Sequence, residues 1–183
     1  MLPRLETPRL LLRPWCESDL RAFAALNADP LVMEYFPSVL DRPASDALAG
    51  RIQSHFDRYG FGLWAAELPG VEDFIGFIGL AVPSFTAHFA PCVEVGWRLA
   101  RGHWGRGYAT EGARAAVEYG FGPAGLRELV SFTVPANRRS LAVMERLHMT
   151  HDPCDDFDHP GLPEGHVLRR HLLYRLSAPA SGP

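Results

Sequence analysis

The segment RGHWGRGYATEG at positions 101–112 constrains the fold more than any other stretch of this chain. Gly102, Gly105 and Gly107 permit backbone conformations closed to other residues and let the main chain approach a ligand closely. A helix reads from 110–120, its start falling around Tyr108 to Thr110, so the N–H groups of its first turn point forward without partners inside the helix. Such a helix start carries about half a positive charge and suits a pyrophosphate without requiring a lysine. The plainer reading is a glycine turn that binds nothing. Two better-known phosphate loops are absent: GxxxxGK followed by Ser or Thr does not occur, and the glycine spacing is wrong for the dinucleotide signature GxGxxG. ATP and NAD are therefore disfavoured as ligands.

The pattern around the loop is that of one α/β unit. Positions 9–15 read as a strand, and Ser18 is placed to cap a helix carrying Leu20, Phe23, Ala24 and Leu26 on one face. Asp29-Pro30 breaks that helix, and Ser45 is placed to cap a longer one with Leu48, Ile52, Phe56 and Tyr59 at helical spacing. Positions 61–68 and 73–82 are apolar and aromatic, with the turn pair Pro69-Gly70 between them, which predicts an antiparallel hairpin. A strand over 92–99 leads into the glycine loop, and the helix after it is followed by a strand over 128–134, a helix over 137–147 and a last strand within 166–176. Positions 151–165, crowded with Asp, His, Pro and Gly, read as a long polar connection.

With 183 residues, the chain suffices for one compact domain, expected over 1–176, and 177–183 has the composition of a flexible tail. A formal charge of -3 supplies no general attraction to nucleic acid or to an anionic membrane surface. Cys16, Cys92 and Cys154 are odd in number and form no CxxC pair, which fits reduced thiols better than a disulfide framework or a zinc site. The opening MLPRLETPRLLLRPW has neither the apolar run of a signal peptide nor that of a membrane span, so a cytoplasmic location is expected.

Taken together, CVEVGWRLARGHWGRGYATEGARAAVEYGF and NRRSLAVMERLHM resemble the acetyl-CoA-binding core of the GNAT superfamily, in particular the branch of the Rim-type ribosomal-protein N-acetyltransferases. The superfamily pattern Gln/Arg-x-x-Gly-x-Gly/Ala falls on Trp104, Gly105, Arg106, Gly107, Tyr108 and Ala109, with tryptophan departing at the first position. The opening LETPRLLLRPW and the closing LLYRL also resemble the ends of such domains, so the likeness runs over nearly the whole chain.

This resemblance implies a mixed, mostly antiparallel sheet of about seven strands flanked by helices, with a bulge splaying two central strands. Acetyl-CoA would lie in the splay, its pantetheine arm paired with the backbone of Trp97, Arg98 and Leu99. The pyrophosphate would rest on the amides from Trp104 to Thr110, and Asn137, equally readable as a helix cap, would bond the pantetheine arm. A base or water relay must remove a proton from the acceptor amine, and Glu94 stands near the place where the superfamily often puts a basic glutamate. The tyrosine that many relatives use to reprotonate the thiolate corresponds here to Met144, which reads as a core residue beside Leu141 and Leu147. Ser140 is the residue that the Rim-type resemblance suggests in its place, its hydroxyl protonating or hydrogen-bonding the thiolate. The resemblance also allows a homodimer through exposed strand edges.

The implied activity is transfer of acetyl from acetyl-CoA to a primary amine of a peptide or small molecule. The alternative from another class is a non-catalytic acyl-CoA binding or sensing domain, motivated by Met144. No metal is expected: His148, His151, Asp152, Cys154, Asp155, Asp156, Asp158 and His159 match no zinc or EF-hand spacing. The acidic loop reads instead as a wall that would attract a cationic amine, or as a solvated connection. No GxSxG elbow supports a serine hydrolase.

Overall fold

The computed structural model describes residues 2–179. Strands β1 (Leu5–Glu6) and β2 (Leu11–Arg13) lead into helices α1 (Asp19–Ala28) and α2 (Arg42–Tyr59). The predicted hairpin follows as β3 (Leu63–Leu68) and β4 (Glu72–Ala81), turning through Gly70 at φ 73°. Next come β5 (Glu94–Leu99), the glycine loop, α3 (Tyr108–Phe121), β6 (Glu128–Thr133) and α4 (Arg138–Arg146). Strands β7 (Thr150–His151), β8 (Phe157–Asp158) and β9 (Arg170–Ser177) close the described chain.

Among the described residues the strands number nine, against about seven expected. Three of them, β1, β7 and β8, are two-residue pairings, too short to leave a period in the sequence. The last two lie within or at the edge of the stretch read as a connection. Ser177, expected to open the tail, ends β9, and positions 180–183 of that tail lie outside the described residues. No helix of the described residues is long and apolar enough to cross a membrane.

The strand order is β1-β2-β3-β4-β5-β6-β9-β7, with β8 beside β9. Every neighbouring pair is antiparallel except β5 and β6, which run parallel and share a single register pair, Glu94 with Val130. By contrast β4 and β5 pair without interruption from Gly76–Leu99 to Ala81–Glu94. The expected bulge is therefore absent from that ladder, and the register shift of this region lies between Ala66 and Leu68 on β3. The splay is present without it: β5 and β6 part after the one paired position, Glu94 with Val130.

Side-chain alternation distributes the core to both faces of the sheet. On one face Ile78 reaches Gly112 of α3, where an added Cβ would stand 2.4 Å from Ile78 Cδ1, so glycine sets how closely helix and sheet approach. On the other, Phe77 meets Phe23 of α1 at a ring separation of 6.0 Å. Two cap assignments change. Ser18 makes no capping bond, and the buried Asp19 accepts the Cys16 N–H at 2.9 Å. α2 starts earlier than expected, capped by Asp41, which accepts the Ala44 N–H at 2.9 Å, while Ser45 is buried within the helix and accepts Asn27 Nδ2 at 2.9 Å.

Candidate active site

The glycine loop forms the first part of the site. Gly105 and Gly107 adopt φ of 72° and 82°, in the left-handed region that glycine alone enters freely, whereas Gly102 lies in a short 3-10 turn without that need. Gly107 caps α3 with no side chain to offer, and the first amide with a helical acceptor is that of Glu111, to Gly107 O at 3.0 Å. The amides of Gly105, Arg106, Gly107, Tyr108, Ala109 and Thr110 consequently have no acceptor within the described protein. The Trp104 amide, expected in the same row, is bonded to Arg101 O at 3.2 Å. A continuous run of free N–H groups at a helix start is a built anion site.

Side chains around the loop fix its shape. Glu111 accepts from Thr7 Oγ1 at 2.7 Å, from the Arg9 amide at 2.9 Å and from Arg9 Nε at 2.7 Å. Partial burial would raise its pKa, but these bonds outweigh burial and hold the carboxyl below its ordinary value. Arg9 in turn donates to Arg106 O at 2.9 Å and lies 4.6 Å over the Tyr108 ring. The Trp104 indole donates to Leu99 O at 2.8 Å, and the Arg139 guanidinium sits 4.3 Å over its ring. Tyr108 and Trp104 thus serve the loop as packing anchors, and the side chain of Thr110 is nearly buried.

The gap between β5 and β6 forms the second part. Ala100 N–H donates to Ile75 O at 2.8 Å, and the alternation of an antiparallel ladder then directs the N–H groups of Trp97 and Leu99 away from β4, into the gap. Leu99 O is occupied by Trp104, which leaves the Trp97 backbone groups and the Leu99 amide to meet an extended ligand. Arg98, expected among these backbone contacts, points its amide toward β4 instead.

Glu94, Gly96 and Arg98 share the opposite side of β5. The Glu94 carboxylate has no hydrogen-bond or ion-pair partner among the described residues, and desolvation pushes its pKa up to about 8. Arg98 donates from Nη1 to Asn27 Oδ1 at 2.6 Å and is capped by the Phe36 ring at 4.1 Å. Its burial lowers its pKa to about 10. The family resemblance implies a role for the Arg98 backbone alone, although a position four residues from Glu94 on one strand puts both side chains on one face.

Across the gap, Asn137 caps α4 with Oδ1 on the Ser140 amide at 3.2 Å, while Nδ2 donates to Thr133 Oγ1 at 3.0 Å and to Ser140 Oγ at 3.1 Å. Both Nδ2 hydrogens are thus engaged with the protein, and what the side chain keeps for a ligand in the cleft it lines is the second lone pair of Oδ1. Because Ser140 Oγ accepts that bond, its own proton remains available to the cleft it lines. Met144 is 1% exposed and belongs to the core, as its spacing predicts. Glu94, Trp97, Arg98, Gly105, Gly107, Asn137 and Ser140 line one cleft of about 2160 Å³.

The acidic connection does not form the expected wall. Asp155 is paired to Arg175 at 2.6 Å, Asp156 to His151 at 2.8 Å and Asp158 to Arg169 at 3.3 Å, while Asp152 caps the Cys154 amide at 2.9 Å. Arginines on or beside β9 absorb the charge, and His159, Gly161 and Leu162 are what this segment presents to the cleft. Phe85 packs on His159 at 4.6 Å, an aromatic lining that no local period announced. Among the described residues no three His, Cys, Asp or Glu side chains are grouped to hold a metal ion.

Comparison with known proteins agrees with this layout. The family model of the acetyltransferase (GNAT) domain matches residues 9–150. The FsC-acetyl coenzyme A-N(2)-transacetylase of Aspergillus fumigatus is 32% identical over 194 residues, covering 97% of this chain and 81% of that protein. An acetyltransferase of Agrobacterium tumefaciens solved by crystallography is 33% identical, with a TM-score of 0.79 over 96% of this chain and 95% of that one. Mycobacterium smegmatis RimJ, solved in complex with CoA-disulfide, shares the fold at a TM-score of 0.70 and 19% identity, covering 96% of this chain and 86% of its own.

Proposed function

The chain belongs to the GNAT acetyltransferase family, and from that premise we propose that its cleft transfers the acetyl group of acetyl-CoA to a primary amine by direct attack of the amine on the thioester. The run of free amides from Gly105 to Thr110, opening beside the β5–β6 gap, is the observation that carries the reading. It offers a pyrophosphate six N–H donors and a helix start, while the gap offers the Trp97 backbone to an extended arm. When bound, acetyl-CoA supplies an activated acyl group and a thiolate leaving group.

The chain's own residues supply positioning and proton transfer. An acceptor amine must lose a proton to attack, and Glu94, unpartnered and with a raised pKa, is suited to take it near neutral to mildly basic pH. The Trp97 N–H faces the gap where negative charge develops on the thioester oxygen, and a preformed backbone donor there needs no particular side chain. Ser140, oriented by Asn137, would hydrogen-bond the departing sulfur and pass to it a proton taken up from water, so that the hydroxyl is restored and the thiol leaves neutral. The relatives named above are acetyltransferases, which favours an enzyme over a non-catalytic acyl-CoA sensor.

The acceptor belongs to this reading as an amine of a peptide or a small molecule. The test is calorimetric titration with acetyl-CoA, followed by thiol release with a panel of amines. Saturable binding with amine-dependent release supports the reading. A folded protein that binds no acetyl-CoA would sink it, and binding without release from any amine would revive the sensor.

A further inference from the structure

Among the described residues Arg98 has no anionic partner. Its Nη1 is held by Asn27 Oδ1 at 2.6 Å, Nε is buried with no hydrogen-bond partner, and Nη2 has none within the described protein. Aromatic rings flank it, Phe36 at 4.1 Å and Phe77 at 5.2 Å. Elsewhere this protein pairs its inward-facing arginines: Arg13 with Asp19 at 2.8 Å and Glu67 at 2.6 Å, Arg175 with Asp155 at 2.6 Å and Glu128 at 2.8 Å. An uncompensated guanidinium removed from water is costly unless a counter-charge arrives. The unfilled edge formed by Nε and Nη2 matches the two oxygens of a carboxylate.

Position on β5 separates this group from the cofactor loop. Trp97 and Leu99 turn toward the face that α3 covers, whereas Glu94, Gly96 and Arg98 turn toward α1 and the segment bearing Phe36. Glu94 and Arg98 stand four residues apart on one strand face, a rise of roughly 13 Å at about 3.3 Å per residue. Between them Gly96 contributes no side chain. The strip therefore reads carboxyl group, open floor, guanidinium, and neither end has an ion-pair partner among the described residues.

We infer that the acceptor is a zwitterion, an amino acid or short peptide whose amine meets Glu94 and whose carboxylate is received by Arg98. The inference rests on the acetyl-transfer reading above and deepens it. Bound this way, the ligand fills the open edge of the guanidinium and takes up the unpartnered carboxyl group, and it orients the amine toward the gap. Arg98 is then a specificity-determining residue, and it discriminates through an anion that the chemistry itself does not use.

The experiment compares a mixed dipeptide library bearing free C-terminal carboxylates with the same library as C-terminal amides, reading thiol release from acetyl-CoA. Wild-type protein should favour the acids by about tenfold or more in kcat/KM, as expected for a charged hydrogen-bonded contact. Arg98→Gln should bring the ratio to about one, while Arg98→Lys, which keeps the charge without the fork, should retain part of it. A purely structural Arg98 would lower both libraries together and leave the ratio unmoved. Equal rates for acids and amides in the wild type, or a preference that survives in Arg98→Gln, would overturn the inference. So would silence from both libraries, and in that case the acetyl-CoA titration and amine panel judge the acetyl-transfer reading separately.

Discussion

Asn137 holds Ser140 by two contacts, accepting its amide at 3.2 Å and donating to its hydroxyl oxygen at 3.1 Å. One residue thus caps α4 and sets the direction of a hydroxyl proton. Ser140→Ala should lower kcat by roughly a hundredfold, within the range for a lost proton donor. Acetyl-CoA affinity should change little, because the free amides of the loop are untouched. Asn137→Ala should show the same kcat defect and in addition cost about 1 kcal/mol of stability as a lost cap. Stopped-flow turnover and thermal melts on the two variants check this, and an unimpaired Ser140→Ala removes serine from the mechanism.

Gly107 tests the anion site. Its φ of 82° is unfavourable for other residues, and an added Cβ would stand 3.3 Å from Arg9 Nη2. Gly107→Asp adds a negative charge amid the donors, so acetyl-CoA binding should weaken by at least about tenfold, a loss of roughly 1.4 kcal/mol or more. At Gly105 a Cβ would meet open space, and Gly105→Ala should show the backbone strain with a smaller loss of affinity. Calorimetry on both variants separates charge from strain.

Glu94 makes the pH dependence explicit. Burial lifts its pKa from 4.5 to about 8, so the folded protein holds the proton more tightly than the unfolded chain. Stability from this group is greatest at acid pH and is lost as pH rises from about 4.5 to about 8. Activity runs the other way, since the base must be ionised, and kcat/KM should climb toward a plateau above about 8. Glu94→Gln should flatten both profiles while lowering the rate. A variant whose pH–rate curve keeps the wild-type shape would assign the base elsewhere.

Most of the sheet, α3, α4 and the glycine loop were legible because each rests on local chemistry: apolar alternation, helical spacing, a turn pair and glycines before a helix. Asn137 as a cap and Met144 as core followed from the same kind of signal. What escaped depends on partners distant in sequence. β7 and β8 exist only because β9 passes beside them, and the acidic connection lost its free charge to Arg169 and Arg175, which no local pattern links to it. The splay was expected from a bulge, yet the β4–β5 ladder runs without one and β5 and β6 part after a single paired position. Arg98 was read as backbone alone, because a side chain's lack of a partner is visible only in three dimensions.

Arg13 and Asp19 form a bidentate pair across only six positions of the chain. Arg13 Nη1 and Nη2 donate to the two Asp19 oxygens, each at 2.8 Å, and the Asp19 side chain is 1% exposed. Burial alone would raise the Asp19 pKa, but the bonds from Arg13 and from the Cys16 amide outweigh it and hold the carboxyl below 3.8. Arg13→Ala strands a buried carboxylate and should cost about 3–5 kcal/mol. Arg13→Lys should rescue only part, because it lacks the fork. Denaturant titration reads both, and a cost near zero for Arg13→Ala would mean that water reaches Asp19.

His55 ties α2 to both ends of the β3–β4 hairpin, and its bonds fix its charge. Val82 N–H donates to Nε2 at 2.9 Å, so that nitrogen carries no proton, and Nδ1 must then be the donor to Phe61 O at 2.9 Å. Burial is the main cause that lowers its pKa from 6.5, aided by the charge of Arg58 and opposed by the Phe61 carbonyl. The folded state therefore binds the proton less readily than the unfolded chain, and stability is lost as pH falls below about 6.5. Protonation would also set an N–H against the Val82 amide. Melting temperatures measured from pH 7.5 to 5 should fall more steeply for the wild type than for His55→Asn, with half-buried His159 and His171 supplying the slope that remains. Equal slopes would mean that His55 opens to solvent before it titrates, and that the bridge between α2 and Val82 is not held in the acid range.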